Sequence, residues 1–161
     1  MYVLDTNVIA TAWNIYPAEV FPSLWEELSR LCNTGVFVYP KEIYKEISTW
    51  YGPQAGWMSS HLTSDHILPK TEDTVTCYGK IFNWVAQERE PQYRPSALRE
   101  FASVADSWAL ASAKEHNLPI LTYEVPTDGG KKKVKIPDVA DHFGIARPTF
   151  LEVLRRHKLH F

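Results

Sequence analysis

Short, unbroken apolar runs alternate along this chain with longer segments of helical periodicity. The runs Tyr2–Leu4, Val36–Tyr39, His66–Leu68 and Pro119–Thr122 each predict a strand. A run without polar alternation is typical of a strand that is buried on both faces. Strands separated by helix-length segments form a parallel sheet that helices cover on both sides. The sequence therefore predicts an α/β fold with a short central sheet and more helix than strand.

The segments between these runs supply the predicted helices. Leu24, Leu28 and Leu31 share one helical face, and Thr71 is a candidate cap for a later helix. The turn residues Gly129-Gly130 predict a hairpin between Tyr123–Val125 and Val134–Ile136. The predicted helices are Val8–Trp13, Phe21–Cys32, Pro40–Tyr51, Met58–Leu62, Thr74–Glu88, one long helix from Pro95 to Glu115, and two short helices from about Asp138 and Pro148.

Length, charge and cysteine usage narrow the class of protein. A chain of 161 residues predicts one domain, spanning residues 1–161. The net charge of −2 does not indicate nucleic-acid binding by bulk charge, although a local basic patch is compatible with it. Cys32 and Cys77 belong to no CxxC motif and are typical of reduced thiols. With no apparent signal peptide or membrane-length apolar stretch, we expect a cytoplasmic protein without a membrane partner.

Asp5 directly follows the first predicted strand. Open α/β sheets bind their ligands at the carboxyl ends of their strands, so this position favours a functional role. Asp5-Thr6-Asn7 holds three cap-forming residues, more than one helix start requires. The alternative is a structural one, in which Asp5 caps the next helix or forms an Asx turn.

Asp106 is predicted to lie in the middle of the long helix, at the edge of its apolar face. A carboxylate in that position needs a cation or hydrogen-bond donors to offset its desolvation. This favours a functional role. The alternatives are a hydrogen-bond acceptor at a helix start or a salt bridge with Arg99.

Two glutamates complete the candidate set. Glu46 flanks the buried stripe of the predicted helix Pro40–Tyr51, where an ordinary solvated glutamate is the simpler interpretation. Glu124 follows the strand that ends with Thr122, and the first and fourth strands of a parallel sheet can be neighbours. Two like charges about 4 Å apart repel by about 4 kcal/mol at an effective dielectric constant near 20. Gathered carboxylates must therefore be protonated or neutralised by a divalent cation, and oxygen ligands suit Mg²⁺ or Mn²⁺.

Four motifs together resemble the PIN-domain ribonucleases, and most of all the VapC-type toxins of toxin–antitoxin pairs. They are LDTN at the start, PKEIYKEI after the second strand, VADSWALASA in the long helix and LTYE after the fourth strand. The likeness runs from Tyr2 to about Gly144. It implies a PIN-like three-layer sandwich, and it matches the family's acids to Asp5, Glu46 and Asp106. Glu124 stands where the family usually has aspartate.

The resemblance also implies an activity. It predicts a Mg²⁺- or Mn²⁺-dependent endoribonuclease that hydrolyses RNA phosphodiester bonds, with a cognate antitoxin as partner and a homodimer as its assembly. The stretch Gly52–Pro95 and the hairpin Tyr123–Ile136 are longer than in the shortest toxins. The metal ligands implied are Asp5, Asp106, Glu124 and Glu46, with Thr6, Asn7 and Thr122 as their hydrogen-bond partners.

Two other functions stay open. Residues 137–156 resemble a helix-turn-helix, and Arg155, Arg156 and Lys158 supply positive charge at its end, which would indicate DNA binding. The second alternative is a PIN-like interaction protein that has lost catalysis, because Glu124 stands in place of the usual aspartate.

Some smaller features are ambiguous. The run Lys131-Lys132-Lys133 is compatible with backbone contacts to nucleic acid or with a solvated loop. Aromatic side chains at 50, 51 and 57 are compatible with base stacking or with core packing. His157 and His160 lack companions for a zinc site. The residues concerned are Lys131, Lys132, Lys133, Trp50, Tyr51, Trp57, His157 and His160.

Overall fold

A computed structural model describes residues 1–158 and contains a parallel four-stranded sheet. The strands are β1 (Tyr2–Leu4), β2 (Phe37–Pro40), β3 (Ile67–Leu68) and β4 (Ile120–Leu121), in the order β3-β2-β1-β4. Val3 of β1 pairs with Val38 on one side and with Ile120 on the other. The α/β prediction is therefore confirmed, and the first and fourth strands are neighbours.

The helices between and after the strands are short. None of those in residues 1–158 combines the length and the hydropathy that a membrane-spanning helix needs. A single 3₁₀ turn at Ser64–His66 and a π-helical turn at Trp84–Glu88 add to them. The helices are α1 (Asn7–Ile15), α2 (Pro22–Asn33), α3 (Lys41–Ile47), α4 (Pro53–His61), α5 (Glu72–Asn83), α6 (Pro95–Ser103), α7 (Asp106–Glu115), α8 (Ile136–His142) and α9 (Phe150–Arg156).

Helix α7 is the central helix of the fold. It packs against β1, β2 and β4 and also against α5. Its fully buried Ala109, Ala111 and Ala113 allow this close approach, because an alanine side chain extends little beyond the backbone. Thr71 caps α5 through a reciprocal pair of hydrogen bonds with Thr74, as the sequence predicts. Together with the other helices, this arrangement is consistent with a three-layer α/β sandwich.

Aromatic side chains hold α1, α2 and α4 together. Trp25 meets Trp13 edge-on with 4.7 Å between ring centroids, and it meets Trp57 edge-on at 4.9 Å. Tyr16 stacks on Phe150 of α9 at 6.1 Å. Trp57 is thus partly buried and packs against the core, which agrees with the core-packing alternative for this residue.

The predicted long helix from Pro95 to Glu115 is wrong, because the chain forms two helices there. Val104 has extended backbone angles (φ −102°, ψ 163°) and separates α6 from α7. The Ser103 hydroxyl donates to the Glu100 carbonyl at 2.8 Å, and Val104 is β-branched, and both features favour helix termination. Asp106 consequently begins α7 and does not lie in the middle of a helix.

The predicted hairpin at Tyr123–Ile136 is also wrong. The described residues form no strand in that segment. Side-chain contacts replace a strand ladder: the Ile136 amide donates to Glu124 Oε2 at 2.8 Å, and the Thr127 amide donates to Asp138 Oδ1 at 3.0 Å. Gly129 adopts a positive φ of 81° and makes the turn within an irregular loop.

Candidate functional site

The parallel pairing of β1 with β4 brings the residues that follow these strands together. The Asp5 amide donates to the Leu121 carbonyl at 3.0 Å. The Thr122 hydroxyl donates to Asp5 Oδ2 at 2.7 Å, across 117 positions of sequence. Asn7 Oδ1 accepts a bond from the Tyr123 amide at 3.4 Å. The DTN element and the LTYE motif are thus joined directly by hydrogen bonds.

All four predicted acids line one cleft of about 190 Å³ at this edge of the sheet. They come from the end of β1, from α3, from the start of α7 and from the segment after β4. Thr6 and Asn7 line it as well. Four further residues line it. Sequence analysis left Trp50 and Lys133 as ambiguous nucleic-acid contacts and did not identify Glu100 and Val104. We call this cavity the acidic cleft.

Asp5 is almost fully enclosed, with 3% of its surface exposed. Burial raises its pKa to about 6, and the charges of Glu124 and Glu46 add to the rise. The hydrogen bond from Thr122 and the backbone at Asn7 oppose the shift. Asp5 forms no ion pair with a basic side chain in residues 1–158.

Asp106 reaches the cleft from the first position of α7. Burial is the largest cause that raises its pKa, which reaches about 7. The negative charges of Asp5, Glu124 and Glu46 raise the pKa further, and the positive charge of Lys133 lowers it. Neither structural alternative is observed: no side chain caps the start of α7, and the described ion pairs do not include Asp106 with Arg99.

Glu46 is half-buried on α3, so it is not the ordinary solvated glutamate of the simpler interpretation. Burial raises its pKa, and the nearby Thr6 hydroxyl opposes the shift. Thr6 Oγ1 is itself buried and forms no hydrogen bond of good geometry in the described part of the chain, although it lies close enough to Glu46 to lower the pKa of that carboxyl. A buried hydroxyl without a well-formed bond costs free energy, so the Thr6 hydroxyl fits a role as a donor to a ligand in the cleft.

Glu124 is held differently from the other three acids. Its Oε1 lies 3.6 Å from Lys135 Nζ and 3.8 Å from Lys133 Nζ, and its Oε2 accepts from the Ile136 amide. Its charge is therefore compensated by protein groups. The sequence shows these lysines, but only the path of the loop 123–135 brings them to Glu124.

The cleft offers the right donors for a hard cation without enclosing one. Within residues 1–158, no group of three or more His, Cys, Asp and Glu side chains is placed to hold a metal ion. Yet the lining provides carboxylate, hydroxyl and amide oxygens and no thiol or imidazole, which is the chemistry of Mg²⁺ and Mn²⁺ sites. The donor set fits such an ion, and the carboxylates would have to turn inward to bind it.

The remaining candidate residues occupy varied places. Trp50 lines the cleft and is half-buried, whereas Tyr51 is 90% exposed. His157 packs edge-on near Tyr2, with 6.0 Å between ring centroids, and His160 lies outside the described residues. Cys32 is free and buried, which raises its thiol pKa to about 12 and makes it unreactive. Cys77 is also free.

The helix-turn-helix resemblance is only partly matched by the fold. Helices α8 and α9 form in the predicted region, and Arg155 and Arg156 are exposed. Residues 143–149 connect the helices, however, and this is longer than the turn of about three to four residues that the motif uses. Both helices bury apolar side chains, including Val139 and Val153. Their packing accounts for the apolar pattern in this region.

A family model described as "Domain of unknown function (DUF4411)" matches residues 2–161. No curated protein and no solved structure matches the chain significantly.

Proposed function

We propose that this chain, which belongs to the DUF4411 family, is a divalent-cation-dependent endoribonuclease with a PIN-like fold. The observation that carries the proposal is the meeting of Asp5, Glu46, Asp106 and Glu124, from four separate segments, in one cleft. Asp5 and Asp106 have no basic partner in the described part of the chain. Uncompensated buried carboxylates in a cleft are typical of cation sites.

Each side chain has a specific task in this proposal. Asp5, Asp106 and Glu46 would hold Mg²⁺ or Mn²⁺, and Glu124 would contribute from beside its lysines. The ion supplies Lewis acidity and an activated water for attack on phosphorus. Thr122 fixes the orientation of Asp5 through its 2.7 Å hydrogen bond. The Thr6 hydroxyl is available to hydrogen-bond a ligand or its water.

The biological setting follows from the PIN-like resemblance. The motifs LDTN, PKEIYKEI, VADSWALASA and LTYE support a role as the toxin of a type II toxin–antitoxin pair. A cognate antitoxin is then the expected protein partner, and a homodimer is the expected assembly. We propose cytoplasmic RNA as the substrate.

The proposal is tested by comparing wild type with Asp5→Asn and Asp106→Asn on single-stranded RNA. We expect cleavage with Mg²⁺ or Mn²⁺ and none in EDTA. Each substitution should lower the rate by about 100-fold or more, the upper end of losses seen for groups that only support metal ligands. Glu26→Gln is the matched control, because Glu26 is exposed on α2 and outside the cleft. Equal cleavage by all four proteins, or cleavage that persists in EDTA, would refute the proposal.

A catalytically inactive, cation-binding interaction protein is the second candidate. The ion pairs of Glu124 with Lys133 and Lys135 favour it, because they neutralise the fourth acid. Calorimetric titration with Mn²⁺ separates the two functions. Mn²⁺ binding that Asp106→Asn abolishes, without cleavage by wild type, would support the inactive form.

A further inference from the structure

A second groove, of about 430 Å³, adjoins the acidic cleft. It lies between the residue before α6 and the loop 123–135. Five of the seven residues that line it are basic and none is acidic, although the chain as a whole has a net charge of −2. We call it the basic groove, and its basic residues are Arg94, Lys131, Lys132, Lys133 and Lys135.

The loop that forms this groove is fixed to the rest of the protein. The Thr127 amide and hydroxyl both bond the carboxylate of Asp138 on α8, at 3.0 and 2.5 Å. The Arg94 amide donates to the Lys131 carbonyl at 3.0 Å, which ties the loop to α6. A Cβ on Gly130 would come within 2.9 Å of Thr127 Cβ, so the turn requires glycine. The lysines are therefore carried by a defined backbone.

The acidic cleft and the basic groove are adjacent and carry opposite charges. Lys133 lines both of them, and its charge is felt by Asp106 as well as by Glu124. Lys135 also pairs with Glu124. Lys131 and Lys132 are exposed and form no ion pair with any carboxylate in residues 1–158. Their positive charge is thus available to a ligand.

The depression on the other side of the acidic cleft lacks these properties. It shares Glu46 and Val104 with the cleft, and Trp108 lines it. Trp108 stacks on Tyr78 at 4.2 Å, and Lys70 Nζ lies 3.6 Å from the ring centroid. Because the indole already has these partners, it is a poor platform for a nucleobase.

We infer that the basic groove carries the sugar–phosphate backbone of single-stranded RNA toward the acidic cleft. The identity of the strand as the substrate rests on the proposed function. A chain of phosphates matches a row of lysines, because each contact releases condensed counterions. Lys133 stands at the junction, where it places one phosphodiester beside the carboxylates. Lys131 and Lys132 bind the phosphates further along the strand and position it without taking part in catalysis.

Binding in EDTA tests this inference separately from cleavage. The probe is a fluorescein-labelled oligouridylate of about twelve nucleotides, within the site sizes of single-strand grooves. Anisotropy titrations over a range of KCl concentrations compare wild type with the double variant Lys131→Ala/Lys132→Ala. Lys41→Ala/Lys80→Ala removes the same charge from exposed positions outside both cavities and is the matched control. Circular dichroism verifies that each variant is folded.

We expect the lysine variant to bind more weakly at every salt concentration. The slope of log affinity against log salt should become less negative by about 1.4, since each phosphate contact on a single strand contributes about 0.7. Wild-type affinity and slope in the lysine variant would overturn the inference. A loss confined to oligothymidylate or to polyglutamate, used as the DNA and acidic-protein probes, would overturn it too. These outcomes do not depend on whether Asp106→Asn abolishes cleavage, so the two proposals can fail separately.

Discussion

Asp5 and Asp106 lower the stability of the folded protein when they are ionised. Each carboxyl is desolvated, each has its pKa raised, and neither has a basic partner in the described residues. Burial of a charge without compensation is unfavourable, so the folded chain favours their protonated forms. Glu124 differs because Lys133 and Lys135 offset its charge.

These shifts predict how stability depends on pH in EDTA. A carboxyl whose pKa is higher in the folded than in the unfolded chain binds its proton more tightly when folded. This stabilisation is fully present at pH values below 3.8, the pKa of aspartate in the unfolded chain. It is lost as the pH rises through the folded pKa values, which are about 6 for Asp5 and about 7 for Asp106. The shift at Asp5 corresponds to about 3 kcal/mol.

The measurement is urea unfolding of the metal-free protein between pH values of about 4 and 8. Asp106→Asn should be more stable than wild type at the upper end, because it removes the charge that burial disfavours. The difference should become small at the lower end, where Asp106 is protonated in the folded chain and nearly half protonated in the unfolded one. Glu26→Gln should follow wild type throughout. A wild type that is more stable than Asp106→Asn at high pH would contradict this account.

Helices and loops position the charges through contacts at their ends. The break at Val104 makes Asp106 the first residue of α7 and brings it to the cleft. The loop 123–135 is irregular, yet Thr127 and Asp138 fix it to the start of α8. Local hydrogen bonds thereby decide where Lys133 and its neighbours lie.

Asp138 is therefore predicted to control the basic groove without touching its ligand. Asp138→Ala removes both bonds to Thr127, so the loop should exchange its amide hydrogens faster around residues 127–135. Affinity for oligouridylate should fall with little change in the salt slope, because no phosphate contact is lost. Hydrogen exchange and anisotropy titration measure the two effects. Asp141→Ala, on the same helix but paired with Arg147, is the control. Unchanged exchange in Asp138→Ala would show that the loop is held by other contacts.

The α/β fold separates the charged residues of the chain into two adjacent surfaces, one acidic and one basic. The parallel sheet gathers acids at the carboxyl ends of β1 and β4, and the loop after β4 supplies cations beside them. A net charge of −2 conceals this arrangement. Because the cleft exists only in the folded chain, any ion bound there must raise the stability of the whole domain.

Divalent ions should accordingly stabilise wild type against heat. At an ion concentration about 100 times the dissociation constant, the gain is about 2.7 kcal/mol. Differential scanning calorimetry with Mn²⁺ or Mg²⁺ should show a rise in Tm at neutral pH that Asp5→Asn and Asp106→Asn largely abolish. The rise should shrink below a pH of about 6, where protons compete for Asp5. An equal rise in the variants would place the ion elsewhere.

Much of the architecture was predictable because it depends on local patterns. The apolar runs identified all four strands, and Thr71 was identified as the cap of α5. Their parallel arrangement then led to the expectation that Asp5 and Glu124 would share a cleft with Glu46 and Asp106, which the structure shows. Strand burial and capping are short-range properties, so neighbouring residues are enough to predict them.

Other features depend on contacts between residues that are distant in sequence. The break at Val104 contains no proline or glycine, so the sequence gives no local signal for it. Only the folded structure shows that the helix ends there, at the cleft that Val104 lines. The predicted hairpin gave way to a loop that Asp138 and Arg94 hold in place. The pairing of Glu124 with two lysines follows from that loop path. Local periodicity carries no information about such contacts, because their energies arise only when the folded backbone brings the partners together.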